Sequence, residues 1–130
     1  MTLHCPARLL LTGGAGLDDP RVGSLADQRI MGVYCDVAGV ATATEVAARW
    51  GLPAHTRPDL AAREPAALRG ALEAIADLHR GEAVLVVTAH IHVPTLRVLA
   101  VDTRGSAGHD VPVELECGDD GWFIRSWPGL

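Results

Sequence analysis

The sequence predicts a single α/β domain of three layers: a mixed, mainly parallel sheet with helices on both faces and a C-terminal antiparallel hairpin. Three observations predict it. The Arg80-Gly81 turn releases a short Val-rich run, Ala83 to Val87, of the kind that forms a strand buried on both faces of a parallel sheet. Other short apolar runs alternate with segments of helical periodicity, the order expected of packed βα units. Near the end of the chain, two strand-like stretches flank Gly118-Asp119-Asp120-Gly121, which reads as a hairpin turn.

Taken in order, Arg8 to Thr12 is a first buried strand, and Gly13-Gly14-Ala15-Gly16 turns the chain at its end. Leu17 to Gly23 is loop by its Asp, Pro and Gly content, and Ser24 can cap one or two helical turns to Ile30. Gly32 to Cys35 is a second strand. Asp36 then caps a helix from Val37 to Trp50, closed by Gly51 with Pro53 beyond it. Ala54 to Thr56 is a short third strand. Pro65 opens an amphipathic helix through His79, with Leu68, Leu72, Ile75, Ala76 and Leu78 as its apolar stripe. The central strand Ala83 to Thr88 follows, and Pro94 starts a helix to Val101. Val111 to Cys117 and Trp122 to Trp127 are the arms of the hairpin.

Composition narrows the functional classes. With 48% apolar and 21% charged residues in 130, the chain is globular and most simply one domain. A net charge of −5 argues against nucleic acid as a partner, because phosphate-backbone binders need a basic footprint. Lysine is absent, which removes Schiff-base, Walker-type and Tyr/Lys dehydrogenase chemistry. Cys5, Cys35 and Cys117 are widely spaced, odd in number and form no CxxC, which suits reduced thiols in a cytoplasm. No leader-type segment is read at the start, and the apolar stretch Ala83 to Val101 carries two His, a Pro and an Arg, so no membrane partner is expected.

The candidate site lies at the carboxyl end of the central strand, where open α/β sheets place their ligands. His90 and His92, two residues apart on an extended segment, point to one side and can share a ligand or a proton. The alternative is a His that caps the next helix beside an exposed one. No further Cys, His or carboxylate stands close in sequence, so neither metal nor cofactor is expected. His4 with Cys5 could supply distant ligands, against the alternative of a frayed N-terminus. Gly13 to Gly16 either admits a ligand close to main-chain N–H groups or is simply a tight turn. Cys35 is a small buried hydrophobe unless a cation lowers its pKa. Asp36 reads as a helix cap. Trp122 and Trp127 face opposite sides of the hairpin, one toward the core and the other available to a homodimer interface.

RLLLTGGAG has the look of a dinucleotide loop, but Asp19 stands where the third glycine is needed, and the chain is short and lacks lysine. A second likeness covers nearly the whole chain. RLLL-TGG, VYCDVAGVATATEVAARWGLP, PDLAAREP, ALRGALEAIADLHRGEAVLVVTAH and VPVELECGDDGWFIRSW follow one another in the order of landmarks of the histidine phosphatase (phosphoglycerate-mutase-like) superfamily, which the chain resembles in reduced form. The resemblance implies a mixed sheet, a nucleophilic His after the first strand, a second His after the central strand and two arginines on the phosphate. Here the Arg-His-Gly positions fall on Gly13-Gly14-Ala15, and the arginine of the Ser-x-x-x-Arg-Ala segment falls on Gly39. The second His falls on Ala89 with Thr88 in the Ser position, or on His90 after a one-residue slip. Glu64 is either the family's loop acid or a helix-start carboxylate, and Arg21 and Arg57 are the stray cations that could still enter the pocket.

Without those groups, nothing is left to attack phosphorus or neutralise its oxygens, so no phosphohistidine chemistry is expected. The candidate set is therefore His90 and His92 for catalysis, with Thr12, Gly13, Gly14, Cys35, Glu64 and Thr88 around a small-molecule ligand. The leading expectation is a repurposed domain, with acid–base chemistry such as isomerisation, cyclisation or dehydration. The alternatives are a non-catalytic pseudophosphatase that binds a protein partner, and a residual phosphatase using His90.

Overall fold

Six strands form one mixed sheet, in the order β3-β2-β4-β1-β5-β6. They are β1 (Ala7–Thr12), β2 (Ile30–Cys35), β3 (Ala54–Thr56), β4 (Ala83–Val87), β5 (Val113–Gly118) and β6 (Gly121–Arg125). The structure is a computed structural model and describes residues 6–12, 28–62, 64–88, 113–118 and 121–125. Strands β3, β2, β4 and β1 are mutually parallel, β5 runs antiparallel to β1, and β6 returns antiparallel to β5. The expectation of a mixed α/β sheet with a terminal antiparallel hairpin is met.

Strand β4 lies between β2 and β1, and all five of its residues are buried, as an Ala-Val-Leu-Val-Val run requires when both faces are covered. Its alternating side chains divide the core. Val84 and Val86 join Leu9, Leu11 and Leu115 on one face, under helix α2 (Pro65–Leu78). Leu85 and Val87 join Leu10, Val33 and Cys35 on the other, under helix α1 (Val40–Ala47). This period-2 division is why the sheet needs a helix on each side.

Helix α2 forms as its sequence suggests. Pro65 occupies the first turn, where its missing N–H costs nothing, and Leu68, Ala71, Leu72, Ile75 and Ala76 are buried against the sheet. Leu78 departs from the expected stripe and is 69% exposed. The progression 68, 72, 75 continues to residue 79, so His79 rather than Leu78 turns inward at the last turn.

The expected helix Val37 to Trp50 is divided. Val37–Gly39 is a 3-10 turn, α1 covers Val40–Ala47, and Ala48–Trp50 tightens again to 3-10. Gly51, at φ 67°, closes it in the left-handed conformation expected after a helix end. The second strand begins at Ile30, so the helical turns expected from Ser24 do not reach that residue. In the hairpin, Gly118 pairs with Gly121, whose φ is 130°. Trp122 packs into the α2-side core and is held beneath the guanidinium of Arg69, 4.2 Å from its ring centroid. Trp127, Gly13 to Gly16, residues 24–27, and the helix expected from Pro94 lie outside the described residues.

Candidate functional site

The carboxyl ends of the central strands finish level with one another. Thr12 pairs with Val87, Cys35 pairs with Val87 from the other side, and Thr56 pairs with Cys35. The ladder runs one residue further, because Thr88 N–H donates to the Thr12 carbonyl at 2.9 Å and Asp36 N–H to the Val87 carbonyl at 3.3 Å. Arg57 N–H likewise donates to the Cys35 carbonyl at 2.8 Å. Chain segments far apart in sequence thereby leave the sheet side by side at Thr12 and Thr88.

Buried polar side chains mark the same edge. Among the described residues, the buried polar or charged ones are Thr12, Asp36, Thr88 and Glu114. The first three stand at these strand ends. Glu114 instead pairs with Arg8, 2.8 Å away. Asp36 follows β2 and is 1% exposed. One carboxylate oxygen accepts from Gly39 N–H at 2.8 Å, which caps the turn as the sequence implies. The other accepts from the Thr88 hydroxyl at 2.9 Å and so bridges β2 to β4.

Gly39 makes this closeness feasible. A Cβ at that position would lie 2.9 Å from the Val87 carbonyl oxygen and 3.1 Å from an Asp36 carboxylate oxygen. The turn after β2 therefore packs directly on the end of β4 with no room for a side chain. Beside it, Val37 is 67% and Val40 38% exposed, giving this end of the sheet an apolar rim.

The residues expected at the site are distributed as follows. Thr12 and Thr88 are brought together, buried, at the ends of β1 and β4. Cys35 stands at the same level but points into the α1-side core, fully buried, with Sγ 3.7 Å from the His55 carbonyl and 3.8 Å from Thr56 Oγ1. Burial pushes its thiol pKa up, the Thr56 hydrogen bond opposes this, and the nearby Asp36 charge adds to the rise. That makes Cys35 a neutral core residue. Glu64 is exposed at the N-cap of α2 and makes no side-chain capping bond, while its carbonyl accepts from Leu68 N–H. Arg57, a stray cation of the sequence reading, forms a two-pronged bond with Asp59 at 3.1 and 2.8 Å. Gly13, Gly14, Arg21, His90, His92, His4 and Cys5 lie outside the described residues.

The Asp36–Thr88 bridge and the close packing of Gly39 were not evident from sequence. The available signal was an Asp at the end of one strand and a Thr at the end of another; their partnership depends on strand register. Among the described residues, no group of three or more His, Cys, Asp or Glu is placed to hold a metal ion. No helix among them is long and apolar enough to cross a membrane. In comparisons with known proteins, no family model matches the chain and no curated protein matches it.

Proposed function

We propose that the chain is a reduced histidine-phosphatase-like domain that has given up phosphoryl chemistry and acts on a neutral, carbon-rich small molecule at the carboxyl edge of β1, β2 and β4. His90 or His92 supplies the acid–base group, and the glycine loop after Thr12 supplies N–H groups for developing negative charge.

The observation that carries this reading is the buried Asp36 carboxylate, held by Gly39 N–H and Thr88 at the base of that edge. A carboxylate in a low-dielectric position opposes a phosphate dianion, and Arg57, whose backbone N–H bonds to the Cys35 carbonyl at this edge, has its guanidinium engaged with Asp59. Two further features support it. The family's arginine position falls on Gly39, where even a Cβ meets the Val87 carbonyl. The adjacency of β1 and β4 also brings together the two strand ends that carry the family's histidine-bearing loops. Apolar Val37 and Val40 beside the turn suit a carbon-rich ligand better than a phosphate ester.

Native mass spectrometry of protein purified without a metal-affinity step tests the reading, with the His90→Ala/His92→Ala variant in parallel. A co-purified organic molecule that the variant loses supports it. A ligand-free dimer unaffected by the substitutions favours an interaction module instead. Hydrolysis of an aryl phosphate that His90→Ala abolishes would contradict it.

A further inference from the structure

On the α2 face of the sheet, three side chains form a chain of hydrogen bonds. His79, at the C-terminus of α2, has Nδ1 2.8 Å from Glu82 Oε1 and Nε2 2.7 Å from the Tyr34 hydroxyl. Glu82 is part-exposed, His79 has 14% of its side chain exposed, and Tyr34 is buried in the α2-side core. The seat of the imidazole is built into β2. A Cβ at Gly32 would lie 3.1 Å from both Cε1 and Nε2 of His79, so any larger residue there would press on the ring.

The partners dictate the positions of the protons. A carboxylate can only accept, so Nδ1 must carry the hydrogen given to Glu82. In the neutral ring Nε2 is then bare and must accept, which obliges the Tyr34 hydroxyl to donate. A protonated ring would carry hydrogen on both nitrogens. Tyr34 oxygen would then accept, and its hydroxyl hydrogen would have to turn away from the ring.

We propose that Glu82, His79 and Tyr34 form a directional hydrogen-bond relay that locks neutral His79 as its Nδ1–H tautomer. Protonation of His79 reverses the Tyr34 end of the relay, which makes the junction of α2 with β2 pH-sensitive. The groups around the relay come from each neighbouring element. His55 on β3 lies against the Tyr34 ring, with centroids 5.4 Å apart, and the charge of Arg57 just beyond β3 acts on the Tyr34 hydroxyl. In the last turn of α2 and the residues after it, Asp77 and Arg80 bond to each other at 3.0 Å. The relay joins β2 one residue before Cys35, and so lies on the strand that Asp36 follows.

The test is nitrogen NMR of protein labelled at histidine, with His79→Gln used to assign the resonances. At pH 8 the wild type should show a protonated Nδ1 and a bare Nε2 on His79. Glu82→Gln should convert this to a mixture, because an amide can donate or accept at Nδ1. As His79 takes up its second ring proton on acidification, the Tyr34 ring resonances should move together with the His79 nitrogens. A wild-type Nε2–H tautomer would overturn the proposal. So would a Glu82→Gln protein with unchanged His79 nitrogens, or Tyr34 resonances indifferent to His79 protonation.

Discussion

The Thr88 hydroxyl donates to the Asp36 carboxylate at 2.9 Å, tying the end of β4 to the end of β2 through two buried side chains. The bridge does two things. It gives a buried carboxylate oxygen a hydroxyl donor, and it fixes the backbone from which the segment bearing His90 and His92 departs.

Asp36→Ala should be strongly destabilising, since it removes the acceptor shared by Gly39 N–H and the Thr88 hydroxyl. Loss of a cap and of a buried acceptor together predict a cost of roughly 1–4 kcal/mol in urea denaturation. Thr88→Val should cost less, and the double variant should be non-additive by about 0.5–3 kcal/mol if the pair acts as a unit.

Gly39→Arg tests whether residue 39, where the proposed resemblance would put a cation, can carry one. Its Cβ alone would meet the Val87 carbonyl at 2.9 Å, so the turn or the end of β4 must shift. The expected outcome is a lower melting temperature and no gain in phosphate affinity by calorimetry. Gly51→Ala, where a Cβ meets nothing but φ is 67°, should be destabilised through backbone strain alone, by about 1 kcal/mol.

Helix α2 offers an internal comparison between neighbouring turns. Leu72 is fully buried and Leu78 is 69% exposed. Leu72→Ala should therefore cost about 2–5 kcal/mol, and Leu78→Ala should lie within about 0.5 kcal/mol of wild type, by chemical denaturation.

Cys117 predicts an alkaline limit to stability. Burial pushes its thiol well above the ordinary value of 9.0; Arg69 opposes this, and the charges of Glu116 and Glu73 add to it. The folded state thus keeps its proton to higher pH than the unfolded chain does. The resulting stabilisation is fully present below about pH 9 and is lost as pH rises toward the folded value, with a slope of at most about 1.4 kcal/mol per pH unit. Unfolding free energies measured across this range should fall less steeply in Cys117→Ala than in wild type.

Much of the fold is legible in the residues because burial enforces simple patterns. The continuous Val-rich run Ala83 to Val87, released by a Gly turn, reads as a strand covered on both faces, and Pro65 with Leu68, Leu72 and Ile75 marks a helix with one buried stripe. Local chemistry also marks Asp36 as a cap and Gly51 as a helix stop. Leu78 breaks the expected stripe because hydrophobicity alone does not say where a stripe ends. A histidine two turns beyond Leu72 fills the place instead, and only the gap over Gly32 makes that apparent. The candidate site is legible only as a location. That Thr88 meets Asp36, and that Gly39 lies against Val87, depends on the register of β2 with β4, which no local pattern encodes.

On the proposed reading, the carboxyl edge of β1, β2 and β4 takes a neutral ligand and refuses phosphate. The most direct measurement is an amide NMR titration of the nitrogen-labelled protein with inorganic phosphate and, separately, with a panel of neutral carbocyclic and heterocyclic fragments. One or more fragments should shift the amides of Thr12, Asp36, Gly39 and Thr88 saturably, while phosphate should leave them in place. Saturable shifts of those same amides with phosphate, and none with the fragments, would contradict it.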